Sequence, residues 1–172
     1  MRKQKLLPWA ALIVAFISST STLCPAQASG PCDIFASATP CVAAFSTTRA
    51  LFASYTGSLY QVTRQSDNTT ANIAVLTDGS GYAAAATQDA FCANTTCTIT
   101  KIYDQTSEHN DLTLAPPGGA ASGPGPGGYD VAASATALPV VADGHKVYGL
   151  LVSSGVGYRN DATNGIAVNG GA

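Results

Sequence analysis

Residues Cys92 to Pro117 read C-A-N-T-T-C-T-I-T-K-I-Y-D-Q-T-S-E-H-N-D-L-T-L-A-P-P, and this stretch decides the fold. Two cysteines five apart open it, a spacing that closes a small loop. From Thr98 to Tyr103 the residues are β-formers, with Ile99 and Thr100, then Ile102 and Tyr103, in imperfect alternation. Asp104-Gln105-Thr106-Ser107 breaks the run with turn-forming side chains, and Asn110-Asp111 completes the turn. Leu112 and Leu114 resume period-2 alternation until Pro116-Pro117 ends it. Strand, polar turn, strand predicts a hairpin-like unit tied at its start by a disulfide.

The same residues carry a resemblance. Tyr103-Asp104-Gln105, then Asn110-Asp111-Leu112-Thr113 and Ala115 to Gly119, resemble the N-terminal part of the α-L-arabinofuranosidase B catalytic domain, glycoside hydrolase family 54. Three further segments are similar to that family in the same order. They are Gly30–Ser37 with Pro40–Ala44, Ser46–Phe52 with Ser54–Gly57, and Gly155–Asn160. Together they span nearly all of the chain after Gly30. The resemblance implies a concanavalin-like, jelly-roll β-sandwich and an enzyme that removes terminal arabinofuranosyl groups from arabinoxylan or arabinan with retention.

The first 28 residues are expected to be a leader rather than part of the fold. Arg2, Lys3 and Lys5 are basic, Ala10 to Ile17 is a short apolar run, and Ala26-Gln27-Ala28 has the small-x-small form of a cleavage site. Cleavage there leaves residues 29–172 as one domain, secreted, with five basic residues against ten acidic ones and a net charge of −5. An acidic chain without a basic cluster suits neither nucleic acid nor an anionic membrane. A neutral polysaccharide suits it, and a monomer is expected. Four cysteines remain, Cys32, Cys41, Cys92 and Cys97, which as two disulfides allow three connectivities. Closeness in sequence favours Cys32–Cys41 and Cys92–Cys97, and the family resemblance implies the same. Such short loops make each bridge worth about 2 kcal/mol. No C-x-x-C spacing occurs and only His109 and His145 are available to assist, so neither a metal nor another cofactor is expected.

Outward from the central stretch, Ser46 is placed to cap a helix over Thr47–Tyr55 that Gly57 would stop. Leu59–Arg64 alternates like a half-buried strand, Asp67–Thr70 reads as a turn, and Ile73–Leu76 as another short strand. Ala83–Phe91 predicts two turns of helix. Gly118–Gly128 sustains neither helix nor strand and predicts a long surface loop. Asp143-Gly144-His145 between Leu138–Ala142 and Lys146–Val152 is a hairpin signal. Asn68 and Asn94 stand in N-x-T sequons, which places both at the surface as possible glycosylation sites. Short strands and turns with one or two small helices predict an all-β sandwich, expected here to be incomplete.

Retaining glycoside hydrolysis needs two carboxyl groups about 5–5.5 Å apart. The chain has nine aspartates and a single glutamate, Glu108. Where Glu108-His109 stands the family has a glycine-rich turn, so Glu108 is expected to sit exposed in that turn and not in the reaction. Asp104, Asn110 and Asp111 are expected to bond the turn backbone, with calcium as the lesser alternative. No G-x-S-x-G or H-E-x-x-H occurs. The resemblance implies that the catalytic glutamate and aspartate, with a vicinal cysteine pair at the sugar pocket, lie beyond Ala172. It assigns no catalytic residue to this chain, and the chain alone is expected to be inactive. The alternative is a non-catalytic carbohydrate-binding sandwich using the seven tyrosines, since the one tryptophan, Trp9, lies in the leader.

Overall fold

The computed structural model describes residues 29–35 and 40–167. The leader expected over residues 1–28, with Trp9 and Cys24, lies outside the described residues. Five strands, all antiparallel, form the main sheet: β1 (Ser58–Arg64), β2 (Thr70–Ala74), β3 (Cys97–Ile102), β4 (Leu112–Leu114) and β7 (Tyr158–Arg159), in the order β2-β1-β3-β4-β7. A second sheet pairs β5 (Pro139–Ala142) with β6 (His145–Tyr148). Two short helices accompany them, α1 (Pro31–Phe35) and α2 (Ala85–Phe91).

The central hairpin forms, with the imperfect alternation that the sequence shows. Lys101 pairs with Thr113 and Ile102 with Leu112. Cys97, Ile99 and Ile102 point into the core, while Thr98, Thr100 and Lys101 stay half-exposed. On β1 the neighbours Leu59 and Tyr60 are both fully buried, which strict alternation forbids. The ladder is irregular here: the register shifts between Ser58 and Tyr60 against β2 and between Gln61 and Val62 against β3. A bulge of this kind re-aims one side chain.

Val147 on β6 joins Leu59, Val62, Ile73 and Ile99 in one core cluster, so the two sheets share an interior as a β-sandwich does. Gln88 of α2 lies wholly inside. Its Nε2 donates to the Ala135 carbonyl at 2.7 Å, and its Oε1 accepts the Tyr60 hydroxyl at 2.7 Å. At the far edge, Tyr158 of β7 donates its hydroxyl to the Ile99 carbonyl and accepts from the Ala133 N–H, at 2.6 and 2.8 Å. Burial pushes the Tyr158 phenol up.

Asp143 (φ 49°) and Gly144 (φ 78°) make the tight turn expected between β5 and β6. Both disulfides take the expected connectivity, Cys32–Cys41 and Cys92–Cys97, with Cα–Cα separations of 5.7 and 5.8 Å. Gly118–Gly128 is irregular apart from a single 3₁₀ turn at Pro126–Gly128.

Three expectations are corrected. The helix expected over Thr47–Tyr55 is absent. Ser46 Oγ does accept the N–H groups of Thr48 and Arg49, as a helix cap would. The following backbone is captured elsewhere: Ala50 N–H goes to the Gly81 carbonyl, Leu51 N–H to Gln105 Oε1 and Ala53 N–H to Asp33 Oδ2. Long-range partners outbid the local ladder. The strand expected over Ile73–Leu76 begins earlier, at Thr70, and ends at Ala74, because its register is set by pairing with β1. The strand expected over Lys146–Val152 ends at Tyr148, where β5 has run out of partners.

Candidate functional site

The connection from Tyr103 to Asp111 is held by its own polar side chains. Asp104 is 3% exposed. Its Oδ1 accepts the N–H groups of Ala44 and Thr106, at 2.9 and 3.0 Å. Its Oδ2 accepts the Asn110 N–H at 2.9 Å and the Thr106 hydroxyl at 2.8 Å. Burial works to raise this carboxyl's pKa, but the donors outweigh it and hold the group below the ordinary range. Asp111 Oδ1 accepts the Asp104 N–H at 3.0 Å, and its Oδ2 lies 3.5 Å from Lys101 Nζ. Asn110, 1% exposed, donates to the Asn164 carbonyl and accepts the Asn164 N–H. The turn-bonding role expected of Asp104 and Asp111 is therefore observed, whereas the Asn110 side chain bonds outside the turn, to the backbone of Asn164 and Val42.

Gln105, an unforeseen member of this network, extends it to the segment before β1. Its Oε1 accepts the Leu51 N–H at 2.6 Å and its Nε2 donates to the Arg49 carbonyl at 3.3 Å. No periodicity marks it, because one side chain bridging two loops leaves no pattern in sequence. Glu108, expected exposed, is half-buried; it lies against Gly165, whose φ is 65°. His109 is exposed and takes φ 54°.

Beside this rigid connection runs a groove. Two concavities, of about 510 and 430 Å³, meet at Tyr55, Gly57 and Thr106. The first is lined by Phe52, Gln105 and Ser107, and the second by Asn72, Tyr103 and His109. The Tyr55 ring is fixed by donation of its hydroxyl to the Ser58 carbonyl at 2.5 Å. It lies so close over Gly57 that a Cβ there would stand 2.7 Å from the phenol oxygen. Gly57→Ala is expected to displace the ring and lower stability by about 1–3 kcal/mol, as overpacking does. Thermal melting checks this, and an unchanged midpoint would contradict it. Of the seven tyrosines, Tyr129 alone is exposed; Tyr55 and Tyr103 are half-buried walls of the groove.

Five further aspartates are engaged in structure. Asp67 is held by Arg64, Asp89 by Lys146 and the Tyr148 hydroxyl, and Asp161 by Arg159. Asp33 accepts the Gly30 and Ala53 N–H groups, and Asp78 the Ser80 N–H. Hydrogen bonds from these partners displace Asp67, Asp78, Asp89 and Asp161 downward. Among the described residues no cluster of three His, Cys, Asp or Glu side chains forms a metal site. No described helix is long and apolar enough to cross a membrane.

Asn68 and Asn94, the sequon residues, are both exposed with positive φ (57° and 60°). They lie at the same end of the main sheet. Gln65 N–H donates to the Thr96 carbonyl at 2.9 Å, joining the two turns, and the Thr96 hydroxyl donates to the Gln65 side chain.

Comparison with known proteins adds the following. The family described as "Alpha-L-arabinofuranosidase B, catalytic" matches residues 31–172. A probable α-L-arabinofuranosidase B of Aspergillus flavus is 56% identical over 158 residues, covering 91% of this chain and 30% of its own length. An α-L-arabinofuranosidase of Hypocrea jecorina is 61% identical over 141 residues, covering 81% and 28%. Among solved structures, an arabinofuranosidase complexed with arabinofuranosyl-α-1,2-xylobiose superposes with a TM-score of 0.77 at 57% identity. A glycoside hydrolase family 54 α-L-arabinofuranosidase soaked with a cyclic sulfate inhibitor gives the same values. Each covers 80% of this chain and 28% of the solved one. The chain thus spans less than a third of the length of these relatives.

Proposed function

The chain belongs to the α-L-arabinofuranosidase B catalytic family, and on that premise we propose that it serves in a secreted, retaining α-L-arabinofuranosidase. The substrate is an arabinose-bearing polysaccharide such as arabinoxylan or arabinan, from which terminal arabinofuranosyl groups are released. The observation that carries this reading is the 55–61% identity to arabinofuranosidases across most of the chain. A relative solved with arabinofuranosyl-α-1,2-xylobiose supports the substrate class. Residues 1–28 act as the leader, and residues 29–172 work as the N-terminal portion of the catalytic sandwich.

Within that enzyme the role of this portion is to build and stiffen the sheet. Retention needs one carboxylate ready to attack and one carboxyl held protonated. Seven of the nine aspartates, Asp33, Asp67, Asp78, Asp89, Asp104, Asp111 and Asp161, are engaged by backbone N–H groups, hydroxyls or basic side chains. The reacting pair is therefore supplied from elsewhere in the full-length protein. Asn68 and Asn94 are proposed as glycosylated in a eukaryotic secretory host.

The test joins residues 29–172 to the downstream part of a family member. The joined protein should release nitrophenol from 4-nitrophenyl α-L-arabinofuranoside, and residues 29–172 alone should release none. A folded joined protein that leaves arabinofuranosides intact and cleaves another glycoside would overturn the reading.

A further inference from the structure

We propose that the groove at Tyr55 and Tyr103 binds a stretch of the neutral, unbranched main chain of the substrate polysaccharide. This rests on the arabinofuranosidase reading above and goes beyond it by assigning main-chain recognition to this portion of the protein. Size comes first. The two concavities that meet at Tyr55, at about 510 and 430 Å³, each fall within the few-hundred to thousand Å³ range of small-ligand sites.

Chemistry comes second. Sugars offer apolar ring faces and a rim of hydroxyls, so their sites combine aromatic side chains with uncharged donors and acceptors. Phe52, Tyr55 and Tyr103 supply the aromatic surface. Asn72 is exposed on edge strand β2. Its Oδ1 accepts from the Tyr103 hydroxyl at 2.8 Å and from Gln61 at 3.1 Å. Its Nδ2 has no partner among the described residues and is free to donate to a sugar oxygen. Ser107 and His109 likewise present side chains without hydrogen-bond partners among the described residues.

Charge narrows the ligand. Neither concavity is lined by a lysine or arginine. Of the two carboxylates at the groove, Asp104 is turned to backbone N–H groups, and Asp111 to the Asp104 N–H and to Lys101 Nζ, whose charge it answers. An anionic ligand such as a phosphate or a uronate finds no countercharge in the lining, whereas a neutral hydroxyl-rich chain needs none.

Rigidity is the third observation. Asp104, Gln105 and Asp111 fix one wall, and the Tyr55–Ser58 hydrogen bond fixes the floor. Little ordering is left to oppose binding.

The experiment titrates the full chain with xylohexaose, an unbranched neutral pentose chain, and follows tyrosine fluorescence and saturation-transfer NMR. Saturable binding is expected, weakened roughly tenfold by Asn72→Ala and by Tyr103→Ala, the size of one lost hydrogen bond or ring contact. Tyr129→Ala, which alters the exposed tyrosine outside these concavities, should bind like the parent. Asn72→Ala keeps the test decisive if Tyr103→Ala lowers the melting temperature, since Asn72 is exposed. Absence of saturable binding in the parent would overturn the proposal, as would parental affinity in a folded Asn72→Ala variant. Release of arabinose by the joined enzyme is read separately. Activity with unaltered binding in the variants removes the groove and leaves the enzyme reading standing.

Discussion

Asp104→Ala is expected to lower unfolding free energy by about 4 kcal/mol, from loss of a buried carboxylate that satisfies three backbone N–H groups, two of them buried. Typical domains hold only about 5–15 kcal/mol in total, so the variant should be marginal at room temperature. Asp104→Asn is expected to cost less, about 2–3 kcal/mol. Its amide oxygen still accepts from Ala44 and Thr106, but its NH₂ faces the Asn110 N–H, donor against donor. The pH dependence follows from the carboxyl's depressed pKa. An aspartate unfolds to a pKa of about 3.9, above its folded value. Its contribution is therefore complete above that value and is lost as pH falls through the folded pKa. The difference in urea stability between parent and Asp104→Asn should stay level at neutral and mildly acidic pH, then shrink below about pH 4. A difference that grows on acidification would contradict the assignment.

Gln88→Leu should cost about 3 kcal/mol although it keeps the side chain's approximate volume. Leucine leaves the Tyr60 hydroxyl and the Ala135 carbonyl unpaired in the interior, each costing about 1–3 kcal/mol. Tyr60 is fully buried, and that burial, with Tyr148 and Asp89 nearby, pushes its phenol well above the ordinary tyrosine range. The hydroxyl therefore stays a neutral donor that needs an acceptor. Adding Tyr60→Phe to Gln88→Leu removes the orphaned hydroxyl and should recover about 1–2 kcal/mol. Urea titration of the two singles and the double measures the coupling. Simple additivity would show that Tyr60 and Gln88 do not act as a pair.

Period and turn chemistry made much of this fold legible. The alternation at Ile99–Ile102 and Leu112–Leu114, the Asp143-Gly144 turn and the alanines of α2 each have a local cause, and each formed as read. The segment from Thr47 to Tyr55 did not. Ser46 Oγ accepts two N–H groups as a cap would, but no helix follows it, because Gly81, Gln105 and Asp33 claim the backbone beyond. No window of sequence contains partners that lie some 20 to 54 residues away. Gln88 and Gln105 were hidden for the same reason, since a buried glutamine and an exposed one look alike in a polar stretch. Asp104 and Asp111 were legible because the groups they bind are mostly local to their own turn. The groove at Tyr55 was not, because it is assembled from the segment before β1, the edge strand β2 and the connection after β3.

The central claim is that the carboxylates of this portion hold structure and leave the chemistry to others. Glu108→Gln in the joined enzyme tests it most directly, because Glu108 is the chain's one glutamate and stands half-buried beside the groove-forming turn. The account predicts hydrolysis of 4-nitrophenyl α-L-arabinofuranoside within about twofold of the parent. A fall of about a thousandfold or more in kcat, the size expected on losing a reacting carboxylate, with the melting temperature unchanged, would contradict it.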